Sequence, residues 1–143
     1  MELAELGGKL LADTLPSLAD GTAVWIEQDE ALVTHAAKIS KQEMRLDPHM
    51  AALDCARHVL ASSDTAPARC VIAGKTVRVL DAAPADVSLG EGLVAVQAKH
   101  VYLGLFDGSV ELLEVKPDGK RAMTASAWSA GLQGADLIWG VLS

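Results

Sequence analysis

Leu3, Leu6, Leu10, Leu11 and Leu15 recur on one stripe at helical spacing, which predicts an amphipathic helix over residues 3–18. Asp20-Gly21 supplies its C-terminal stop. The stripe calls for a partner surface. The helix starts almost at Met1, without a capping residue or a preceding loop, so the expected partner is either the rest of this chain or a larger domain that the helix completes. Thr22–Ile26, "TAVWI", is a short β-prone run. The stretch after it, "EQDEALVTHAAKISKQEMRL", keeps no period and predicts an extended linker with a helical turn after Ser40. Asp47-Pro48 then predicts a helix start, with Asp as N-cap and Pro at the first helical position. Met50, Leu53, Arg57 and Leu60 follow on one face, and Ala51, Ala52 and Ala56 favour helix. "SSDTAP" ends the segment.

Beyond Pro67 the pattern changes period. "RCVIAG", "KTVRVL", "GLVAVQ", "HVYLGLF" and "SVELLEV" are short β-type runs. They are separated by turn signals at Gly74-Lys75, Leu89–Gly92 and Asp107-Gly108. Asp-Gly between two apolar runs predicts a hairpin. "KPDGK" predicts a turn, Thr124 a cap for a short helix "ASAWSAG" ending at Gly131, and the apolar tail "ADLIWGVLS" a last strand. Short strands at this spacing predict a small barrel or sandwich.

Composition narrows the class. The 143 residues suit one main domain, and half of them are apolar, enough for a core. Aromatics make up 3 % of the chain, so that core must come from Leu, Val, Ala and Ile. No apolar run approaches the roughly 20 residues of a membrane span, and no signal-peptide order opens the chain. A cytoplasmic location without membrane partners is therefore expected. Cys55 and Cys70 match no metal spacing and predict free, buried thiols. A net charge of −7 argues against a general nucleic-acid coat, but it does not exclude a local basic site.

The search for a catalytic or metal-binding set finds none. His35, His49, His58 and His100 have no partner at ligand spacing. Gly7-Gly8 lies inside a helix, not in a phosphate loop, and no nucleophile elbow is present. No catalytic, cofactor-binding or metal-ligating residue is assigned. Positive charge does gather at two places: Lys38, Lys41 and Arg45 in "THAAKISKQEMRLD", and Lys116, Lys120 and Arg121 in "EVKPDGKR". On composition alone these read as ordinary solvated charges.

Two motifs alter that reading. Gln28, Glu30, Thr34, Ala36, Lys38, Ile39, Lys41, Leu46 and Asp47 stand in register with the interdomain linker of methionyl-tRNA formyltransferases. Glu114, Val115, Pro117, Gly119, Lys120, Arg121, Met123, Ala125, Trp128 and Gly131 fit the C-terminal motif of that family. The first helix resembles the last helix of the family's catalytic domain, so the resemblance covers nearly the whole chain. Departures are His35 for the usual Tyr, Lys116 for Gln, Ala127 for an acidic residue and Ala130 for Arg or Asn.

The resemblance implies a mainly β fold with helices: an OB-like open β-barrel preceded by a helix, a linker and a second helix. It divides the chain into residues 1–21, the end of a catalytic domain, residues 22–47, the linker, and residues 48–143, a tRNA-binding domain. It implies that Lys38, Lys41, Arg45, Lys116, Lys120 and Arg121 face tRNA. The partners implied are initiator methionyl-tRNA and an N-terminal catalytic domain. The intact enzyme would use 10-formyltetrahydrofolate as formyl donor; this part alone would bind no cofactor and be inactive. The exposed leucine stripe could also drive artificial self-association. The alternative is a non-catalytic scaffold domain from another formyltransferase, acting on a sugar nucleotide or a folate.

Overall fold

A computed structural model describes residues 2–132 and 137–142. It divides into two compact units, Met1–Ala37 and Lys38–Ser143. In the first, helix α1 runs over Glu2–Ala19. Its end is fixed by Asp20, whose Oδ1 accepts from the Thr22 backbone N–H at 3.0 Å and from the Thr22 hydroxyl at 2.6 Å, and by Gly21 at φ 74°. Within its own unit the predicted leucine stripe is exposed. Thr22–Ile26 forms no strand, contrary to its β-prone composition. β propensity is realised only against a neighbouring strand, and this unit contains none. No described helix is long and apolar enough to cross a membrane.

The second unit is the expected open, OB-like barrel with few helices. Its strands are β1 (Arg69–Ile72), β2 (Lys75–Ala85), β3 (Val94–Gln97), β4 (His100–Gly104), β5 (Ser109–Pro117), β6 (Met123–Thr124) and β7 (Trp139–Gly140). They order as β3-β4-β5-β2-β1-β7, with β6 on β5, and every paired strand is antiparallel. The two edges then approach each other: Leu93 bridges Ile138, Val94 N–H donates to Leu137 O at 2.7 Å, and Trp139 N–H donates to Gly92 O at 2.9 Å. The long strand β2 serves both halves of the sheet because its register with β5 shifts on either side of Asp81, the bend that a bulge provides.

The core has the predicted composition. Leu46, Ile72, Val77, Val79, Val101, Leu103, Val110, Leu112 and Val115 are fully or almost fully buried. Each contributes about 1.5–3 kcal/mol on leaving water. Helix α2 (Ala52–Leu60) covers part of this sheet with Cys55 and Val59. Helix α3 (Ala125–Ser129) begins where expected, its Thr124 hydroxyl accepting from Ala127 N–H at 3.2 Å.

The start of α2 differs from the expectation. Asp47-Pro48 does not open the helix. Asp47 instead closes a turn, its carboxylate accepting from His49 N–H at 2.9 Å and its carbonyl from Met50 N–H at 3.0 Å. The helix begins at Ala52, and the residue before it, Ala51, offers no capping side chain. Asp107, from the β4–β5 turn, accepts from Ala52 N–H at 2.7 Å in its place. A two-residue turn at Ala98-Lys99, both at positive φ, joins β3 to β4 without the Gly or Asn that marks such turns.

Gly104 sits where the loop before β3 crosses β4. A Cβ there would lie 2.0 Å from Gly90 O, and the Gly104 carbonyl accepts from the Trp139 indole N–H at 2.9 Å. Gly104→Ala should lower unfolding free energy by about 3 kcal/mol through overpacking, read as an earlier urea midpoint at unchanged slope.

Cys55 and Cys70 are free and buried. Burial raises the Cys55 thiol to about 12, and burial with the neighbouring Cys55 raises Cys70 further. Both thiols should resist a thiol-disulfide reagent in the native protein and react once it is denatured. An unfolded thiol ionises near about 8.5. Their contribution to stability is therefore complete below that pH and falls progressively as the pH rises toward the folded value. Denaturant melts between pH 7 and 10 check the sign.

Candidate functional site

Cations stand in one row across the outer face of the barrel. Arg45 bridges Arg69, Arg69 is the register partner of Arg78, and Arg78 that of Lys116. Neighbouring strands lie about 5 Å apart, so the row is about 15 Å long. Side chains alternate along a strand, and the residues flanking these cations, Cys70, Val77, Val79 and Val115, are buried in the barrel. The cations must therefore point outward.

Lys41 joins them from a single turn closed by Ser40 and Glu43: Ser40 N–H donates to the Glu43 carboxylate at 2.7 Å, and Glu43 N–H to the Ser40 hydroxyl at 3.3 Å. This is a capping box on one turn, and it satisfies the expectation of a turn after Ser40. The bonds from Ser40 hold the Glu43 carboxyl below its ordinary range.

All five cations line one cavity of about 400 Å³. Two carboxylates share it. Asp64 pairs with Arg78 Nη1 at 2.8 Å, and Asp118 pairs with Arg69. Five cations against two carboxylates leave +3 in a chain whose net charge is −7. Like charges facing each other across strands destabilise the sheet, so the arrangement favours any anion that enters. The hydrogen bond from Arg78 pulls the Asp64 carboxyl below its ordinary range, reinforced by the charge of Arg78 and, less, by that of Lys116. Arg69 Nε and Arg78 Nε are buried and have no partner among the described residues, which leaves part of each guanidinium's donor capacity unused.

Of the six sequence-assigned residues, Lys41, Arg45 and Lys116 meet in this cavity. Lys120 lines a neighbouring one beyond the Pro117–Gly119 turn, with Lys75 and Trp128. Lys38 and Arg121 are exposed and line neither. Arg69 and Arg78 were not singled out by the sequence reading. The signal was present: a two-residue turn at Ala73-Gly74 pairs Ile72 with Lys75 and, three steps further, Arg69 with Arg78.

The histidines form no common site. His49 pairs with Glu91 and His100 with Glu111, each at 2.5 Å, and His58 Nδ1 lies 2.8 Å from Asp54 O. Among the described residues no three His, Cys, Asp or Glu side chains converge to hold a metal.

The ion pair between Asp64 and Arg78 is checkable by itself. In Arg78→Met the Asp64 carboxyl should move up toward the ordinary aspartate range, held slightly below it by Lys116, followed by NMR titration of its carboxyl carbon.

Residues 38–133 match the family model described as "Formyl transferase, C-terminal domain". The fold is similar to HypX from Aquifex aeolicus solved with tetrahydrofolic acid: TM-score 0.66, 20 % identity, covering 89 % of this chain and 23 % of that one. A multiply substituted variant of the same protein matches with TM-score 0.66 and 22 % identity, over 89 % of this chain and 24 % of that one. The chain thus spans about a quarter of the length of the solved structures it resembles.

Proposed function

This chain belongs to the formyl transferase C-terminal domain family, and we propose that it is the RNA-holding end of an enzyme that passes a formyl group from 10-formyltetrahydrofolate to methionyl initiator tRNA. The observation that carries this reading is the outward row of Arg45, Arg69, Arg78 and Lys116, continued by Lys41, on an otherwise acidic chain. The linker and C-terminal motifs that resemble methionyl-tRNA formyltransferases supply Lys41 and the turn beside the row.

The domain's share of the work is binding and orientation. Phosphate contacts fix the position of a nucleic acid without reading its bases, and A-form RNA is recognised largely through its shape and backbone. A local positive field also steers a polyanion to one face. Aromatic stacking is no part of the reading, since no Phe, Tyr or Trp among the described residues lines the cavity. In the family that the linker and C-terminal motifs resemble, the formyl donor binds in a catalytic domain upstream of the linker. Donor binding and the chemical step are therefore assigned to a catalytic domain, and the chain alone is expected to have no transferase activity.

The likeness to HypX favours a second reading, a family member acting on another substrate, with this barrel as a scaffold. A salt titration separates the two. Under the first reading log K for tRNA falls linearly with log salt, and Lys41→Ala or Arg45→Gln each flattens that slope by about one unit or slightly less. Initiator and elongator tRNAs should weaken by similar factors, because these contacts carry no base information. Unchanged affinity and slope in both variants would leave the scaffold reading standing.

A further inference from the structure

The five cations of the cavity are not equally free, and the difference lies in what holds each carboxylate against them. Asp118 is built into the fold. It precedes Gly119, at φ 75°, in the turn after β5, and its backbone N–H donates to Thr76 O at 3.0 Å. Asp64 is not. It lies on the connection between α2 and β1, its side chain is 96 % exposed, and Arg78 is its hydrogen-bond partner. Arg78 is the opposite: 20 % exposed and anchored mid-ladder between Arg69 and Lys116.

We propose that Asp64 is an exchangeable stand-in for a phosphate group: in the free protein it occupies the Arg78 guanidinium, and a phosphate entering the cavity takes that guanidinium while Asp64 swings out to solvent. The inference rests on reading this face as a site for a phosphate-bearing ligand, and it names the contact at which binding happens. Three observations carry it.

Asp64 meets Arg78 through one terminal nitrogen, Nη1, at 2.8 Å, a single-point contact. A phosphate can take two donors of a guanidinium at once and bond more strongly than a single-point contact. The cavity, at about 400 Å³, has room for a phosphate and part of what carries it. The exchange also costs little on one side, because the ion pair of a carboxylate this exposed is weak. What it releases is a cation fixed in a like-charged row. Asp118, tied through its backbone, stays in place and limits how many phosphates the row accepts.

The test uses the full chain, with inorganic phosphate and unfractionated tRNA as separate probes. Phosphate binding is followed by amide shifts in residues 62–65 and 76–80, tRNA binding by filter retention. The variants are Asp64→Asn, Asp118→Asn, Arg78→Gln and, as a control for the change in net charge, Asp86→Asn, an exposed residue outside the cavity. Asp64→Asn should tighten phosphate about threefold to fivefold relative to Asp86→Asn, the worth of an exposed ion pair. Asp118→Asn should gain less, and Arg78→Gln should abolish the shifts. If Asp64→Asn gains no more than Asp86→Asn, or Asp118→Asn gains as much as Asp64→Asn, the exchange is overturned. Phosphate tightening without any tRNA binding would sustain the exchange and sink the RNA reading. Firm tRNA binding that Asp64→Asn leaves unchanged, with phosphate equally unchanged, would do the reverse.

Discussion

The register of one hairpin governs this domain. The two-residue turn at Ala73-Gly74 sets Cys70 opposite Val77 and Arg69 opposite Arg78. Side chains alternate with period two, so the same register decides both the inside and the outside of the barrel. Inward, it packs Cys70 and Val77 into the core; outward, it faces two arginines toward each other. A slip of one residue would bury the arginines and expose the core, at a cost no small domain could sustain. The cation row is therefore locked by the hydrophobic pattern of its own strands. Its repulsion is tolerated because the apolar faces behind it leave the backbone no alternative.

That coupling explains how an acidic protein can present a sharply positive face. Net charge describes the long-range field, and at physiological salt that field is screened within about 8 Å. Within the cavity the balance is local. Cations on a fixed sheet cannot move apart to relieve their repulsion, as flexible surface lysines do. They remain a preorganised anion receptor, partly quieted by two aspartates.

Much of the fold was legible in sequence, because strands with alternating burial and turns with Gly announce themselves locally. Helix α1, the five main strands and the Thr124 cap follow from patterns within a few residues. What was not legible depends on partners far away in the chain. Thr22–Ile26 has strand composition but lacks a neighbour in its unit. The Ala98-Lys99 turn carries no turn residue and is imposed by the pairing of β3 with β4. The true start of α2 depends on Asp107, 55 residues away. The candidate site divides in the same way. Lys41, Arg45 and Lys116 were visible as positive charge gathered in and beside the two motifs, whereas Arg69 and Arg78 lie in strands whose apolar residues dominate their reading. Only the register of the hairpin brings them into the row.

The cap that Asp107 gives to α2 also orders events in time. A nine-residue helix has too few internal hydrogen bonds to persist alone in water, and its first turn has no cap of its own. Until the sheet that Cys55 and Val59 pack against has formed and the chain between β4 and β5 has turned back at Asp107, residues 52–60 have little to hold them helical. The helix therefore matures after a hairpin made much later in the sequence, and synthesis from the N-terminus cannot complete it in order. Folding of this domain waits on its middle, and the long-range loop closure that results makes it intrinsically slower than its helical beginning would suggest.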